Sequence, residues 1–284
     1  MSKQEQINAA IAEYLNTPEL ERSLTKLQEK YGVRRQTISE HLKKRGYEVV
    51  NYQNRCRIIE TIFDEIDSEE KAYWLGFIYA DGSIGSSEHK LEINLATKDK
   101  THLQKFADFI GKTDGVRECT NFSNKGTAET IVRFQVRNKH LWNTLNNYGC
   151  TPRKSLTLEF PNLDIFKTEE LVFDFIRGYC DGDGTLGLYN IGETEKLREN
   201  LGFVGTEKFL IKITEILGQY CKVTLKQDNN AFRITYSNKK AREVARKLYE
   251  NSTIYLDRKY DIYLKFCRLE EESSRRLSSK NGES

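Results

Sequence analysis

No apolar run long enough to span a membrane occurs in this 284-residue chain, and its N-terminus, MSKQEQINAA, lacks an apolar stretch of signal-peptide length. The first absence argues against a transmembrane segment and the second against export, so a cytoplasmic protein is expected. Prolines number only 3, and the four histidines and six cysteines (Cys56, Cys119, Cys150, Cys180, Cys221, Cys267) include no C-x-x-C pair. A clustered zinc site is therefore not expected, and the cysteines read as reduced thiols. With 38% hydrophobic and 31% charged residues, the chain has the make-up of a globular protein rather than a disordered one. A net charge of +3 argues neither for nor against a polyanionic partner. Its distribution says more: between Leu20 and Val50, eight Lys/Arg stand against four acids. Such a short basic segment suits phosphate contact, although a solvated charged face has the same composition.

In the N-terminal segment, Ile7, Ala10, Ile11, Tyr14 and Leu15 recur at helical spacing. Thr17-Pro18-Glu19 then supplies an N-cap, a Pro at the first helical position and an acid in the first turn. Leu20, Leu24, Leu27 and Tyr31 extend a second apolar stripe that Gly32 ends. A further helix is predicted over Arg35 to Lys44, with Ile38 and Leu42 inward. The stretch Leu24–Leu42, LTKLQEKYGVRRQTISEHL, resembles a helix-turn-helix, although Gln28 stands where a small residue usually permits close packing. That resemblance implies that Arg34, Arg35, Gln36, Thr37 and Ser39 approach bases and phosphates, with Lys43, Lys44 and Arg45 beside the backbone. The bland alternative is a three-helix module that touches no nucleic acid. Residues 48–66 read as a connector, polar and basic at Asn51, Gln53, Asn54, Arg55 and Arg57, then apolar at Ile58, Ile59, Ile62 and Phe63.

The remainder reads the same way twice. Asp67-Ser68-Glu69-Glu70 opens a short apolar helix, AYWLGFIYADGSIG, and Thr168-Glu169-Glu170 opens its counterpart, LVFDFIRGYCDGDGTLG. In each copy a β-like run ending at Thr97 or Thr206 follows. Next come an amphipathic helix (His102–Gly111; Lys208–Gly218), a strand pair, and a helix starting near Lys139 or Lys239. A Lys-centred segment closes each copy, TPRKSLTLEFP against YLDRKYDIY. This order predicts an α+β fold of two αββαββα halves with antiparallel sheets. Strand alternation gives each sheet a polar face. Arg133, Gln135 and Arg137 oppose Val132, Phe134 and Val136; Lys222, Thr224, Lys226, Arg233 and Thr235 oppose their apolar neighbours in the second copy. A curved ribbon of such residues suits the major groove of duplex DNA, though any single strand also fits an ordinary solvent face.

WLGFIYADG (Trp74–Gly82) and IRGYCDGDG (Ile176–Gly184) look like two LAGLIDADG motifs, and similarity to that homing-endonuclease family spans about Asp67 to Phe266. Gly76 and Ala80 lie four residues apart, as do Gly178 and Gly182, so each pair shares one helix face and lets two backbones approach. Asp81 and Asp183 follow at the helix C-termini, where two carboxylates near one axis oppose each other and the helix dipoles. A divalent cation relieves both problems, and hard oxygen ligands suit Mg²⁺. The resemblance implies Asp81 and Asp183 as metal ligands, each serving one strand of the duplex, and metal-dependent hydrolysis that leaves short 3′ overhangs. It implies further catalytic roles for Lys154 and Lys259, which follow Arg153 and Arg258 at matching positions, and for Lys98 and Glu207. Asp181 matches Tyr79 of the first motif and is given no catalytic role.

These readings give a helix-turn-helix module at 1–47, a linker at 48–66, halves at 67–162 and 163–272, and a disordered tail at 273–284. The resemblance implies saddle-shaped sheets, a monomer bound to double-stranded DNA, an intron-homing role and a prokaryotic or phage origin. The same fold also serves non-catalytic transcriptional regulators, which typically lack the motif acids, and maturases that bind intron RNA. An intein is not expected, because the chain begins at Met1 and ends SSKNGES without flanking splice residues.

Overall fold

The computed structural model describes the chain apart from Met1, 19–21, Glu48, Val50, 51–57, Ser87, 123–127, 155–156, 191–196, 220–221, Val223, 227–230 and 282–284. It forms two compact units, Met1–Ile58 and Ile59–Ser284.

The smaller unit holds α1 (Lys3–Asn16), α2 (Leu24–Tyr31) and α3 (Arg35–Lys44). Ile7, Ala10, Ile11 and Tyr14 on α1 close a core with Leu27, Val33, Ile38 and Leu42. Thr17 ends α1 rather than starting α2: its N–H donates to the Glu13 carbonyl at 3.0 Å, and Ser23 caps α2 instead. A Thr-Pro pair looks like a helix start in sequence, but the backbone donor of Thr17 is already used. Between α2 and α3, Gly32 adopts φ 66°, the left-handed conformation that closes a helix. Gln28 acquires a role here. Its Oε1 accepts from the Arg35 N–H at 3.0 Å, satisfying a free donor at the start of α3 where Arg34 offers no side-chain cap.

The larger unit begins inside the expected linker. Asn51, Gln53, Asn54, Arg55 and Arg57 lie outside the described residues, whereas Ile62, Phe63 and Ile66 are buried and Ile66 bridges Phe166. The apolar end of the connector is thus core. The first half runs α4 (Glu69–Asp81), β1 (Gly82–Ile84), β2 (Lys90–Ala96), α5 (Lys100–Phe109), β3 (Val116–Phe122), β4 (Ala128–Arg137) and α6 (Lys139–Asn147). The second repeats it with α7 (Glu170–Asp183), β5 (Thr185–Asn190), β6 (Leu197–Gly205), α8 (Glu207–Leu217), β7 (Thr224–Lys226), β8 (Ala231–Ser237) and α9 (Lys239–Tyr249), then adds α10 (Asp257–Asn281). Each half builds a four-stranded antiparallel sheet, ordered β1-β2-β4-β3 and β5-β6-β8-β7. The fold is the α+β duplication expected from the repeat. Two local expectations fail. The strand expected from Lys222 begins only at Thr224, and the tail expected to be disordered from Ser273 continues α10 as far as Asn281.

The sheets bury one face, as strand alternation requires. Val132, Phe134 and Val136 are buried, with Phe134 edge-on to Phe106 of α5, while Arg133, Gln135 and Arg137 occupy the opposite face. No helix among the described residues is long and apolar enough to cross a membrane.

Candidate functional site

The site grows from the α4–α7 pair. Both helices are buried nearly all round, Ala72 through Tyr79 in α4 and Phe175 through Asp181 in α7, so they form the seam between the halves. A β-carbon on Gly76 would sit 1.9 Å from the Phe175 carbonyl oxygen, and one on Gly178 would sit 1.9 Å from that of Tyr73. The two contacts are reciprocal, as a two-fold relation between the helices requires, and bring backbone against backbone. One turn on, a β-carbon at Gly182 would lie 2.3 Å from the Ala80 Cβ and 3.1 Å from the Asp81 Oδ2. The Asp81 carboxylate is thereby held against the other helix, one residue short of Asp183.

Two lysines complete the centre. Lys154 Nζ donates to the carbonyls of Tyr79 and Ala80, the latter at 2.7 Å. Lys259 Nζ donates to Cys180, Asp181 and Gly184 at 2.5, 2.8 and 2.7 Å. Each ammonium therefore occupies the negative end of its own half's motif helix. Desolvation, and then the Asp183 charge, push the Asp81 carboxyl up to about 7, against the pull of Lys259 and Lys154. Asp183, the more exposed of the two, is also raised, again by desolvation, with Lys154 and then Lys259 opposing.

This has a measurable sign. Asp81 holds its proton in the folded state up to about pH 7 but releases it near 3.8 when unfolded. The stability linked to it is full below 3.8 and is lost as pH rises to about 7. An Asp81→Asn variant, neutral throughout, is expected to melt about 5 °C above wild type at pH 8 in EDTA, the gain shrinking toward pH 5. Equal melting temperatures at both pH values in calorimetry would contradict a strained carboxyl.

Several residues that hold this centre together escaped the sequence reading. Asp181 is 1% exposed, and its carboxylate accepts from the hydroxyls of Tyr249 and Tyr73 and from the Leu256 N–H, each at 2.7 Å. Tyr73 also meets His102 Nε2 at 2.9 Å; burial depresses that imidazole to about 3, which keeps it neutral. Arg177, equally buried, donates to Glu69 (2.7 Å), Asp174 (2.7 Å) and the carbonyls of Leu248 (2.9 Å) and Ile254 (3.0 Å). Arg258 clamps Asp99 of the other half from Nε and a terminal nitrogen, at 3.0 and 3.2 Å. The hint in sequence was a charge inside an apolar helix, Arg177 and Asp181, where an unpaired group would be costly.

The remaining expected residues fall in three places. Lys98 and Glu207 are exposed and make no hydrogen bond or ion pair among the described residues. On the sheets, register aligns Asn94, Arg133 and Arg117 in one half and Val204, Arg233 and Thr224 in the other. Arg233 and Thr235 are exposed; Lys222 is exposed just before β7, and Lys226 belongs to β7 with its side chain outside the described residues. The first sheet is less basic than its arginines suggest. Glu92 accepts from Lys90 at 3.3 Å and Asn94 at 2.9 Å beside Arg133, and Glu88 holds Arg137 at 2.7 Å. In the smaller unit, Arg34, Arg35, Gln36 and Lys43 are exposed at the turn and along α3, with Thr37 and Ser39 half-buried.

No family model matches the chain. It is 30% identical over 103 residues to an ATP phosphoribosyltransferase regulatory subunit of Bacillus licheniformis, covering 36% of this chain and 26% of that protein. It is 24% identical over 195 residues to a DNA polymerase of Acanthamoeba polyphaga mimivirus, covering 64% of this chain and 10% of the polymerase. The chain thus spans only a small part of the curated relatives it matches. Among solved structures, the homing endonuclease I-WcaI bound to its DNA recognition sequence superimposes with a TM-score of 0.51 at 14% identity, covering 69% of this chain and 87% of the other. At that identity the likeness concerns architecture alone: the chain has the fold of a LAGLIDADG homing endonuclease.

Proposed function

We propose that this protein is a site-specific endonuclease that cuts both strands of duplex DNA by divalent-cation-dependent hydrolysis, leaving short 3′ overhangs. One observation supports this most directly. Two carboxylates, Asp81 and Asp183, stand at the ends of backbone-packed helices, with two ammonium groups beside them and Asp81 destabilised in its charged form by burial and by the Asp183 charge. The donor set fits Mg²⁺: hard carboxylate oxygens from each half, raised in pKa, and helix-end carbonyls already engaged by lysine. Asp81 and Asp183 would hold the cation, which when bound supplies Lewis-acid activation of water and of the scissile phosphate. The chain's own contribution is positioning. The Gly76 and Gly178 contacts fix the carboxylates, Lys154 and Lys259 hold positive charge at the two helix ends beside them, and the polar sheet faces follow the grooves.

The smaller unit would extend the footprint, with Arg34, Arg35, Gln36, Thr37, Ser39 and Lys43 toward the duplex. Removing residues 1–46 is expected to weaken binding roughly tenfold and to flatten the dependence of affinity on salt, since each lost phosphate contact lowers the slope by about 0.9. An unchanged slope in fluorescence anisotropy would remove that unit from the interface.

The direct test is mapping of DNA ends. Genomic or randomised DNA is incubated with the protein and Mg²⁺, beside the Asp81→Asn/Asp183→Asn double variant. Discrete breaks with 3′ overhangs, absent from the variant, are expected. Enriched binding at a defined sequence without breaks would favour a regulator instead, and capture of structured RNA without either would favour a maturase.

A further inference from the structure

Lys154 and Lys259 occupy matching positions after the two motifs, yet their surroundings differ. Lys259 is 3% exposed in the first turn of α10, and its ammonium donates to three carbonyls, the full number of N–H groups a lysine has. Its neighbour Arg258 is fixed by two contacts to Asp99, itself 8% exposed. Lys154 is half-buried and donates to two carbonyls, which leaves one N–H without an acceptor among the described residues. Its neighbour Arg153 is exposed, has φ 61° and makes no ion pair or hydrogen bond among the described residues. The residue matching Asp99 in the second half is Lys208, which cannot pair with an arginine and binds Glu159 instead.

A donor saturated by protein carbonyls cannot also stabilise charge developing on a phosphate oxygen without giving up a bond. A donor with one free N–H can. We infer that the two lysines have divided their roles: Lys154 contacts the phosphate of the strand it faces, whereas Lys259 is a buried cap on the α7 C-terminus, so the two strands are cut at unequal rates. This rests on the endonuclease reading. Arg258 and Asp99 are positioning residues that hold the α10 start, and with it Lys259, in the capping geometry. One electrostatic donor aimed at a developing oxyanion is worth on the order of 10²-fold in rate, which sets the expected difference between strands.

The test uses a supercoiled plasmid carrying the site recovered by end mapping, with each strand labelled separately, together with melting of the same proteins. Wild type is expected to accumulate nicked circles with one strand cut on the order of 10²-fold faster. Lys154→Met is expected to slow that strand by a similar factor and to lower the melting temperature by less than about 3 °C, because only two carbonyls lose their donor and the side chain removed is half-buried. Lys259→Met is expected to lower it by about 10 °C, since three buried carbonyls lose their donor. Lys259→Arg, which keeps a multi-donor cation, should recover part of that loss without changing the ratio of strand rates. Equal strand rates in wild type, or equal melting losses in the two Met variants, would overturn the division of roles while leaving the endonuclease reading intact. No cutting by wild type at any Mg²⁺ concentration would overturn that reading and the rate inequality together, and the melting comparison would then decide only whether Lys259 is the cap.

Discussion

Asp81→Asn and Asp183→Asn, each alone, are expected to abolish double-strand cleavage while leaving DNA affinity within a few-fold of wild type. Asparagine keeps the shape and one acceptor oxygen but lacks the charge that holds a divalent cation. Cation-assisted hydrolysis of a phosphodiester depends on that charge for activating water and neutralising the oxyanion. Loss of a single preorganised electrostatic group typically lowers a rate by 10²–10³, and removal of a metal ligand should exceed that, so at least roughly 10³-fold is expected. The two carboxylates share one crowded centre, with Asp81 Oδ2 against the Gly182 backbone, so on the proposed reading a change in either would disturb a cation held there. On the proposed reading binding is spared, because groove and phosphate contacts would fall to residues other than these two carboxylates. The measurement is linearisation of a labelled plasmid beside anisotropy with the same duplex in Ca²⁺. Wild-type cutting by both single variants would place the chemistry elsewhere.

Gly178→Ala is expected to lower the melting temperature by about 10 °C, and Gly76→Ala by a similar amount. Helix propensity argues the other way, since Ala is favoured over Gly by about 1 kcal/mol in a helix interior. Geometry decides the sign. The added β-carbon would stand 1.9 Å from a backbone carbonyl of the facing helix, an atom no rotamer change can move. Overpacking of that kind costs about 1–3 kcal/mol and more where backbones must separate, which outweighs the propensity gain. Separation of α4 from α7 would also spread the carboxylates, so cleavage should fall along with stability. A Gly178→Ala protein that melts at or above wild type would show that the helices do not meet backbone to backbone.

The duplication was legible because each half repeats the same periodicities in the same order. The close helix pairing was legible because Gly76 and Ala80, like Gly178 and Gly182, sit four residues apart on one face. What lay hidden were contacts that sequence spacing cannot reveal. Arg177 finds Glu69 across 108 residues, Asp181 finds Tyr73 across 108, and Arg258 finds Asp99 across 159. A buried charge announces that a partner exists but not which one. Local errors had local causes. Thr17 resembled a helix start until its N–H was seen to close α1, and the polar composition after Ser273 hid the continuation of α10. Gln28 looked like a mismatch because a side chain that caps a neighbouring helix has no signature in its own helix's pattern.

The polar contacts between the halves also fix which half can pair with which. In the aligned motifs, Leu171 stands where Glu69 does and Phe175 where Tyr73 does. Two copies of the second half brought together would therefore set each Arg177 guanidinium against a leucine in place of Glu69 and each Asp181 carboxylate against a phenylalanine in place of Tyr73, leaving each group only the partners of its own half. Two copies of the first half would leave Glu69 facing Leu75 and remove its Arg177 and Thr253 partners. Pairing of unlike halves is thus favoured over pairing of like ones, because only the former completes these contacts. A chain in which these pairs were made alike would lose that preference, and its products at high concentration would be exchanged dimers and larger assemblies.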